Sequence, residues 1–288
     1  MLKINPLLPN SSETRGKVDL HIHSNQSDGA LSYQEIIDYS IKIGLKTISI
    51  TDHDDISALG EAEKYSMDRG LEFISWIEIS SQSKNIDVHM LGYFINHQHA
   101  YLKDYVAFFQ NERLKRVEKI VKLLNKSGIP LDLETVKSFA QKGSIGRPHI
   151  AEAMVKQGLV SGYQEAFNKY IGDGRPYAIA KFKISPEQAI SLINHADGIC
   201  VLAHPGDDFS TDIIHHLIKS GLEGIETIHP RHSQQQVDFY REIVKKNGLI
   251  ETGGSDCHGK NKGDSLIGRM NVPYSFVQEM KNRISPKH

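Results

Sequence analysis

The stretch Val18-Asp19-Leu20-His21-Ile22-His23-Ser24, with Asp28-Gly29 close behind it, decides how this chain is read. Val18, Leu20 and Ile22 alternate with polar residues, the period of a β-strand. His21 and His23 are two apart and therefore share one face of that strand. The run from Ser24 to Gly29 is rich in Ser, Asn, Asp and Gly and breaks the strand into a loop. Two imidazoles at a strand end, with a carboxylate on the loop that follows, make half of a metal nest. A strand with two solvated histidines has the same local pattern, so the rest of the chain must decide.

Downstream the pattern repeats. Ser32 opens a helix with Glu35 three residues on, a capping box, and Ile36, Ile37, Ile41 and Ile43 form its apolar side up to Gly44. A strand over 45–51 runs into Asp52-His53-Asp54. A helix over 58–69 ends at Gly70, and a strand over 71–79 delivers Glu78 between Ile77 and Ile79, where a carboxylate needs a partner. A fourth strand over 87–95 carries His89 near its start. Alternating strands and helices favour a parallel sheet with helices outside. Polar residues at the carboxyl ends of such strands converge on one face. The spacing therefore predicts one site.

From 100 to 185 the chain reads as helix only. Leu114, Val117, Ile120, Val121 and Leu124 predict a helix over 106–126, whose Arg113, Lys115, Arg116, Lys119 and Lys122 read as a solvated basic face. A short helix over 131–141 follows. A third opens at Gly146-Arg147-Pro148-His149 and ends at Gly158, with proline suited to the first helical position. Arg147 and His149 then flank a helix amino terminus, a setting that favours anions. The run 170–183 reads as a loop returning to the sheet. The expected organisation is a polar lead-in over 1–17, a barrel built from 18–99 and 186–288, and an all-helical insertion over 100–185.

The barrel pattern resumes with a helix opened by Ser185-Pro186-Glu187. A strand over 198–203 ends in His204-Pro205-Gly206, and a helix over 211–219 follows. A strand over 224–228 ends in His229-Pro230-Arg231-His232. After a helix over 234–246, the strand over 249–252 ends in Gly253-Gly254-Ser255-Asp256-Cys257-His258. His97, His99, His195, His215, His216 and His288 stand in polar or helical surroundings and read as surface residues.

Composition narrows the function. At 288 residues, with 39% hydrophobic and 24% charged content, this is a globular chain with ample core, and the length suits one α/β barrel. A formal charge of −1 excludes a global basic field, so an acidic ligand must be held by a local site. Two cysteines without CxxC spacing exclude a disulfide framework and a thiolate zinc site. No apolar run is long enough to span a bilayer, and no signal-peptide core opens the chain. The expectation is a cytoplasmic protein with no membrane and no obligate protein partner.

The strand-end inventory is His21, His23, Asp28, His53, Glu78, His89, His204, Asp256 and His258. A tetrahedral ion takes about four ligands, so this set suits two to three divalent ions bridged by carboxylates. Nitrogen and oxygen ligands without thiolate point to Zn, Mn or Fe. Cys257, between two of them, reads as a packed thiol. Such a cluster yields hydroxide at neutral pH and clamps the attacking and leaving oxygens of an in-line displacement. Phosphate-ester hydrolysis is the natural chemistry. No P-loop, dinucleotide fingerprint or Ser-His-Asp order competes with it.

His21-Ile22-His23, Asp52-His53, His204-Pro205 and Asp256-Cys257-His258 resemble the four signature motifs of the PHP (polymerase and histidinol phosphatase) family, with Asp28, Glu78 and His89 at its intervening ligand positions. The resemblance spans 18–268. It implies a distorted (β/α)7 barrel, a trinuclear metal cluster and phosphoester hydrolysis. The runs 146–151 and 170–176 resemble the nucleoside 3′,5′-bisphosphate phosphatases, which are related to a 5′→3′ exoribonuclease that trims short RNA. By that resemblance the substrate is a phosphorylated nucleotide or short oligonucleotide, Arg147 holds a substrate phosphate, and His229, Arg231 and His232 line the pocket. The ions that the resemblance implies would supply the attacking hydroxide, with His204 or a neighbouring histidine expected to protonate the leaving group.

Other readings differ in particular residues. A histidinol-phosphate phosphatase differs only in its pocket, and the helical insertion speaks against it. Hydrolases of C–N bonds commonly bridge their metals with a lysine, and no lysine here sits at a clear strand end. A non-catalytic metal-binding module has no need of the full ligand set. A nuclease would show a basic groove running from Arg147 through the Arg113–Lys122 helix.

Overall fold

The computed structural model describes residues 17–84, 86–140, 144–259 and 266–284; the lead-in before Lys17, Gln141 and His288 lie outside them. The chain opens with β1 (Lys17–Ile22), α1 (Tyr33–Lys42), β2 (Thr47–Ile50), α2 (Leu59–Met67) and β3 (Glu72–Phe73). Both halves of the capping box predicted at Ser32 and Glu35 are present, and Ile36 and Ile37 turn inward. Next come β4 (Trp76–Ser83) and β5 (Ile86–Tyr93), then α3 (Ala100–Lys126), α4 (Leu133–Ala140), α5 (Arg147–Lys156), α6 (Tyr163–Ala166) and a π-turn over Phe167–Ile171. The chain closes with α7 (Pro186–His195), β6 (Ile199–Leu202), α8 (Thr211–Lys219), β7 (Gly224–Ile228), α9 (Gln234–Asn247), β8 (Ile250–Gly253), β9 (Val272–Pro273) and α10 (Ser275–Ile284).

The fold is mixed α/β, with its strands in two sheets. One has the order β3-β2-β1-β9 and the other β4-β5-β6-β7-β8. The parallel pairing expected from the alternation holds for β1 with β2, β2 with β3, and the run β6-β7-β8. It fails in the middle, where β4, β5 and β6 pair antiparallel. The expected single strand over 71–79 is two strands. β3 pairs with β2, and after Ile74 and Ser75 the chain re-enters as β4 with a new partner. The β4–β5 pairing runs from Trp76 opposite Tyr93 to Ser83 opposite Ile86, and Lys84 after β4 takes left-handed backbone at φ 47°. Among the described residues the two sheets meet through single parallel bridges, Ile22 to Cys257 and His53 to Glu78.

The sheet interior holds Leu20, Trp76, Leu91, Tyr93, Val201 and Ile250, fully buried. The outer helices α7, α8 and α9 cover the other face of β4–β7. Leu102 and Val106 of α3 join this same cluster, whereas the helices from Val117 onward pack differently. Val117, Ile120, Val121 and Leu124 of α3 meet Val136, Ile150, Met154 and Ile171 in an apolar cluster of their own. α3 starts at Ala100 rather than 106 because Leu102, Val106 and Phe109 extend its buried stripe. No helix among the described residues is long and apolar enough to cross a membrane.

Candidate metal centre

β1 ends by delivering His21 and His23 onto the same side, above Trp76, whose ring lies 5.4 Å from that of His21. His53 follows β2, Glu78 and His89 come from the paired strands β4 and β5, His204 follows β6, and Asp256 and His258 follow β8. The approach of the last loop depends on Gly254. A Cβ there would lie 2.3 Å from His21 Cβ, so only glycine lets the loop pass against β1. Asp54, His204 and Asp256 take left-handed backbone, with φ of 51°, 25° and 48°. Strained conformations of non-glycine residues at successive strand ends mark places where the fold holds a side chain for use.

The fold brings all nine candidate ligands together, in four overlapping groups: His23, Asp28, His53 and His258; His21, His23 and Asp256; His21, Glu78 and His204; His53, Glu78 and His89. Within each group the donor atoms lie within 4.8 Å of one another. Glu78 is the hub. Its Oε2 lies 3.1 Å from His23 Nε2 and 3.3 Å from both His21 Nε2 and His53 Nδ1, and its Oε1 lies 2.8 Å from His89 Nδ1. Burial pushes the Glu78 carboxyl up, but the imidazoles of His53, His89 and His21 outweigh it and hold the group well below the usual range.

The chemistry of this donor set fits divalent cations. The ring nitrogens His23 Nδ1, His53 Nδ1, His89 Nδ1 and His258 Nε2 are buried and lack hydrogen-bond partners, although carboxylate oxygens lie close to each. Lone pairs aimed at a common point, without hydrogen-bond geometry, are what metal ligation requires. Cys257 packs instead, its Sγ accepting from the Gly259 and Leu266 N–H groups.

The candidate substrate residues come from two separate parts of the chain. Arg147 donates to Asp173 at 2.6 Å and to the Ile171 carbonyl at 3.1 Å. His149 is buried, and its Nδ1 accepts the Gly146 N–H, capping its own helix. After β7, His229 Nδ1 accepts the Arg231 N–H, which leaves the proton of a neutral ring on Nε2, 3.4 Å from Asp256 Oδ2. Arg231 is exposed at the rim, 3.6 Å from the same oxygen. His232 spends both nitrogens on backbone, at Thr227 and Gly206, and so ties two strand-end loops together.

Several residues that surround the centre escaped the sequence reading. Glu226 in β7 lies 3.0 Å from His21 Nδ1 and accepts the His204 N–H at 2.9 Å. It orients two candidate ligands, and its signal was the same as that of Glu78, a carboxylate inside an apolar strand. Asp19 accepts from the Ser255 and Gly268 N–H groups, and burial pushes its carboxyl up to about 6. Asp52 holds Ser24 and Ser27. Arg113, read as part of a solvated face, is in fact sunk against the fully buried Asp54, with its Nη2 2.7 Å from Oδ2.

Comparison with known proteins gives the class first. The family model described as PHP domain matches residues 19–252, and the chain belongs to that family of metal-dependent phosphoesterases. It is 30% identical over 257 residues to the 3′,5′-nucleoside bisphosphate phosphatase of Chromobacterium violaceum, covering 87% of this chain and 90% of that one. It is 29% identical over 247 residues to the 5′-3′ exoribonuclease Rnm of Escherichia coli, covering 83% and 84%. A solved structure from Bifidobacterium adolescentis, provisionally described as a metal-dependent phosphoesterase, superposes with a TM-score of 0.85 at 28% identity, covering 92% of this chain and 96% of that one. The chain is accordingly a hydrolase of phosphoric esters.

Proposed function

We propose that this phosphoesterase removes the 3′-phosphate from nucleoside 3′,5′-bisphosphates. The observation that carries the reading is the convergence of imidazoles and carboxylates on Glu78 and His23 at the strand ends, with Arg113 and Lys181 of the helical region paired to Asp54 beside His53. We take the strands β1, β2 and β4–β8 as a distorted seven-stranded barrel drawn together by the Ile22–Cys257 and His53–Glu78 bridges, and residues 100–185 as a helical insertion set against it.

In this reading His21, His23, Asp28, His53, Glu78, His89, His204, Asp256 and His258 hold two to three divalent ions, Mn, Zn or Fe. When bound, such ions make water acidic enough to serve as a nucleophile near neutral pH and neutralise charge on the phosphoryl oxygens. Glu226 fixes the ring of His21 and the backbone of His204. His204 lies within the group of His21 and Glu78, which supports ligation as its role. In the tautomer that the Arg231 N–H selects at Nδ1, the neighbouring His229 offers the centre an Nε2–H hydrogen bond. Arg147 and His149 on one side, with Arg231 and His232 on the other, bound the pocket. The reading carries a cytoplasmic setting, in keeping with two buried cysteines left as thiols.

A 5′→3′ exoribonuclease is the second reading, favoured by the basic side chains of the insertion and by the name of the Escherichia coli relative. The deciding experiment measures phosphate release from adenosine 3′,5′-bisphosphate with added manganese against a chelated control, with a short 5′-phosphorylated RNA and histidinol phosphate alongside. Manganese-dependent release from the bisphosphate, exceeding that from histidinol phosphate, supports the first reading. RNA shortened from its 5′ end with no release from the bisphosphate replaces it with the second.

A further inference from the structure

A cavity of about 540 Å³, lined by none of the candidate ligands, opens between α9 and the loop that follows β6. Tyr240 donates its hydroxyl proton to the Gly206 carbonyl at 2.7 Å, and His232 Nε2 accepts the Gly206 N–H at 3.2 Å, so the loop is fastened to the helix. Gly206 stands two residues beyond His204, which is at most about 7 Å of chain. The His232 ring in turn lies 5.5 Å from that of His229. The cavity is therefore within a nucleotide's reach of the metal centre.

Two features set its chemistry. Phe239 is 41% exposed beside the buried Tyr240, their rings 5.1 Å apart at 69°. An aromatic face held at a cavity wall is a platform on which a flat ring can stack. The second feature is a carboxylate held in place. Gln236 Oε1 accepts the Ser233 N–H at 2.7 Å, and its Nε2 donates to Asp207 Oδ1 at 2.7 Å. Asp207 Oδ2 takes no hydrogen bond among the described residues. Asp208 is next in the chain, no lysine or arginine lines the cavity, and Arg231 lies at Asp256 instead, 3.6 Å from its Oδ2. Burial, together with the charges of Asp207 and Asp208, pushes the Tyr240 hydroxyl up to about 12. Such a field repels a phosphate and suits a neutral ring that carries N–H donors.

We infer that this cavity binds the nucleobase of the substrate, stacked on Phe239 and donating an exocyclic amine to Asp207, and so favours adenine, guanine and cytosine over uracil. This rests on the phosphoesterase reading and sets the base apart from the phosphates, which the acidic lining turns away. Stacking is tolerant of sequence and supplies affinity, whereas a carboxylate distinguishes bases that carry an amine from those that carry a carbonyl there.

The test uses the full chain. With metal added, kcat/KM is measured on adenosine and uridine 3′,5′-bisphosphates and on 1-deoxyribose 3,5-bisphosphate, which has no base. The wild type is expected to favour the adenosine compound over the uridine one about fivefold, and Asp207→Ala to abolish that preference. Phe239→Ala is expected to lower the ratio of kcat/KM on the adenosine compound to that on the baseless one about tenfold. Saturation-transfer NMR with adenosine itself needs no turnover: transfer to the base protons is expected in the wild type and its loss in Phe239→Ala. No transfer in the wild type, or an unchanged ratio in Phe239→Ala, overturns the inference. So does an equal fall on all three substrates with a lowered Tm, which makes Phe239 a packing residue only. Equal kcat/KM of the wild type on the adenosine and uridine compounds contradicts the role given to Asp207. Should the wild type hydrolyse no phosphoester, the functional reading fails, and the NMR arm still decides the cavity.

Discussion

The strand ends and the helices of 100–185 both place charged residues around the same centre, but by different means. At the strand ends each polar side chain interrupts an apolar run and finds several partners, as Glu78 does with His21, His23, His53 and His89. On α3 the charged residues recur at a spacing that a solvated face shows equally well, and a single one of them, Arg113, reaches the fully buried Asp54. Chemistry written into a strand is visible because burial forbids it without cause. Chemistry on a long amphipathic helix is masked by ordinary surface charge.

The sharpest break of that comparison is at the hub. Glu78→Gln should remove several kcal/mol of transition-state stabilisation, roughly three orders of magnitude in kcat/KM, because one carboxylate serves two ligand groups. A loss under tenfold would mean that Glu78 only packs. Next in size, Ile120→Ala in the helical cluster should destabilise the protein by about 2–5 kcal/mol, read as a lowered Tm, with the metal content of the folded protein preserved. Metal loss at temperatures where the variant is folded would tie the two regions into one unit. Glu226→Gln should weaken metal binding by about 10–100-fold in a chelator competition, as expected when the partner of a ligating histidine is altered. Unchanged affinity would leave Glu226 no part in orienting His21. Smallest, Arg69→Ala on the exposed pair with Asp38 should cost no more than about 1 kcal/mol and serves as the surface reference.

Much of the centre was legible because β1, β2 and β6–β8 each lead directly into histidines and carboxylates that the fold gathers. Glu226 followed the same rule as Glu78 and was missed, since Thr227 beside it softened the apolar context. The antiparallel pairing of β4 with β5 was hidden because the residue that takes left-handed backbone after β4 is Lys84, not a glycine. The split of the run at 71–79 was hidden for another reason: Ile74 keeps it apolar through the step between sheets. The role of Arg113 was not legible at all. Its partner, Asp54, lies in another part of the chain, and nothing local distinguishes it from Lys115 or Lys119 on the same helix.

The account's central claim is that strand-end imidazoles and carboxylates form a metal centre for phosphoester hydrolysis. Its most direct test counts ions bound per chain by elemental analysis, in the wild type and in His23→Ala, alongside turnover of adenosine 3′,5′-bisphosphate with manganese and with chelator. The account predicts two to three ions in the wild type, fewer in the variant, and turnover that vanishes with the metal. Turnover that persists after complete metal removal would contradict it.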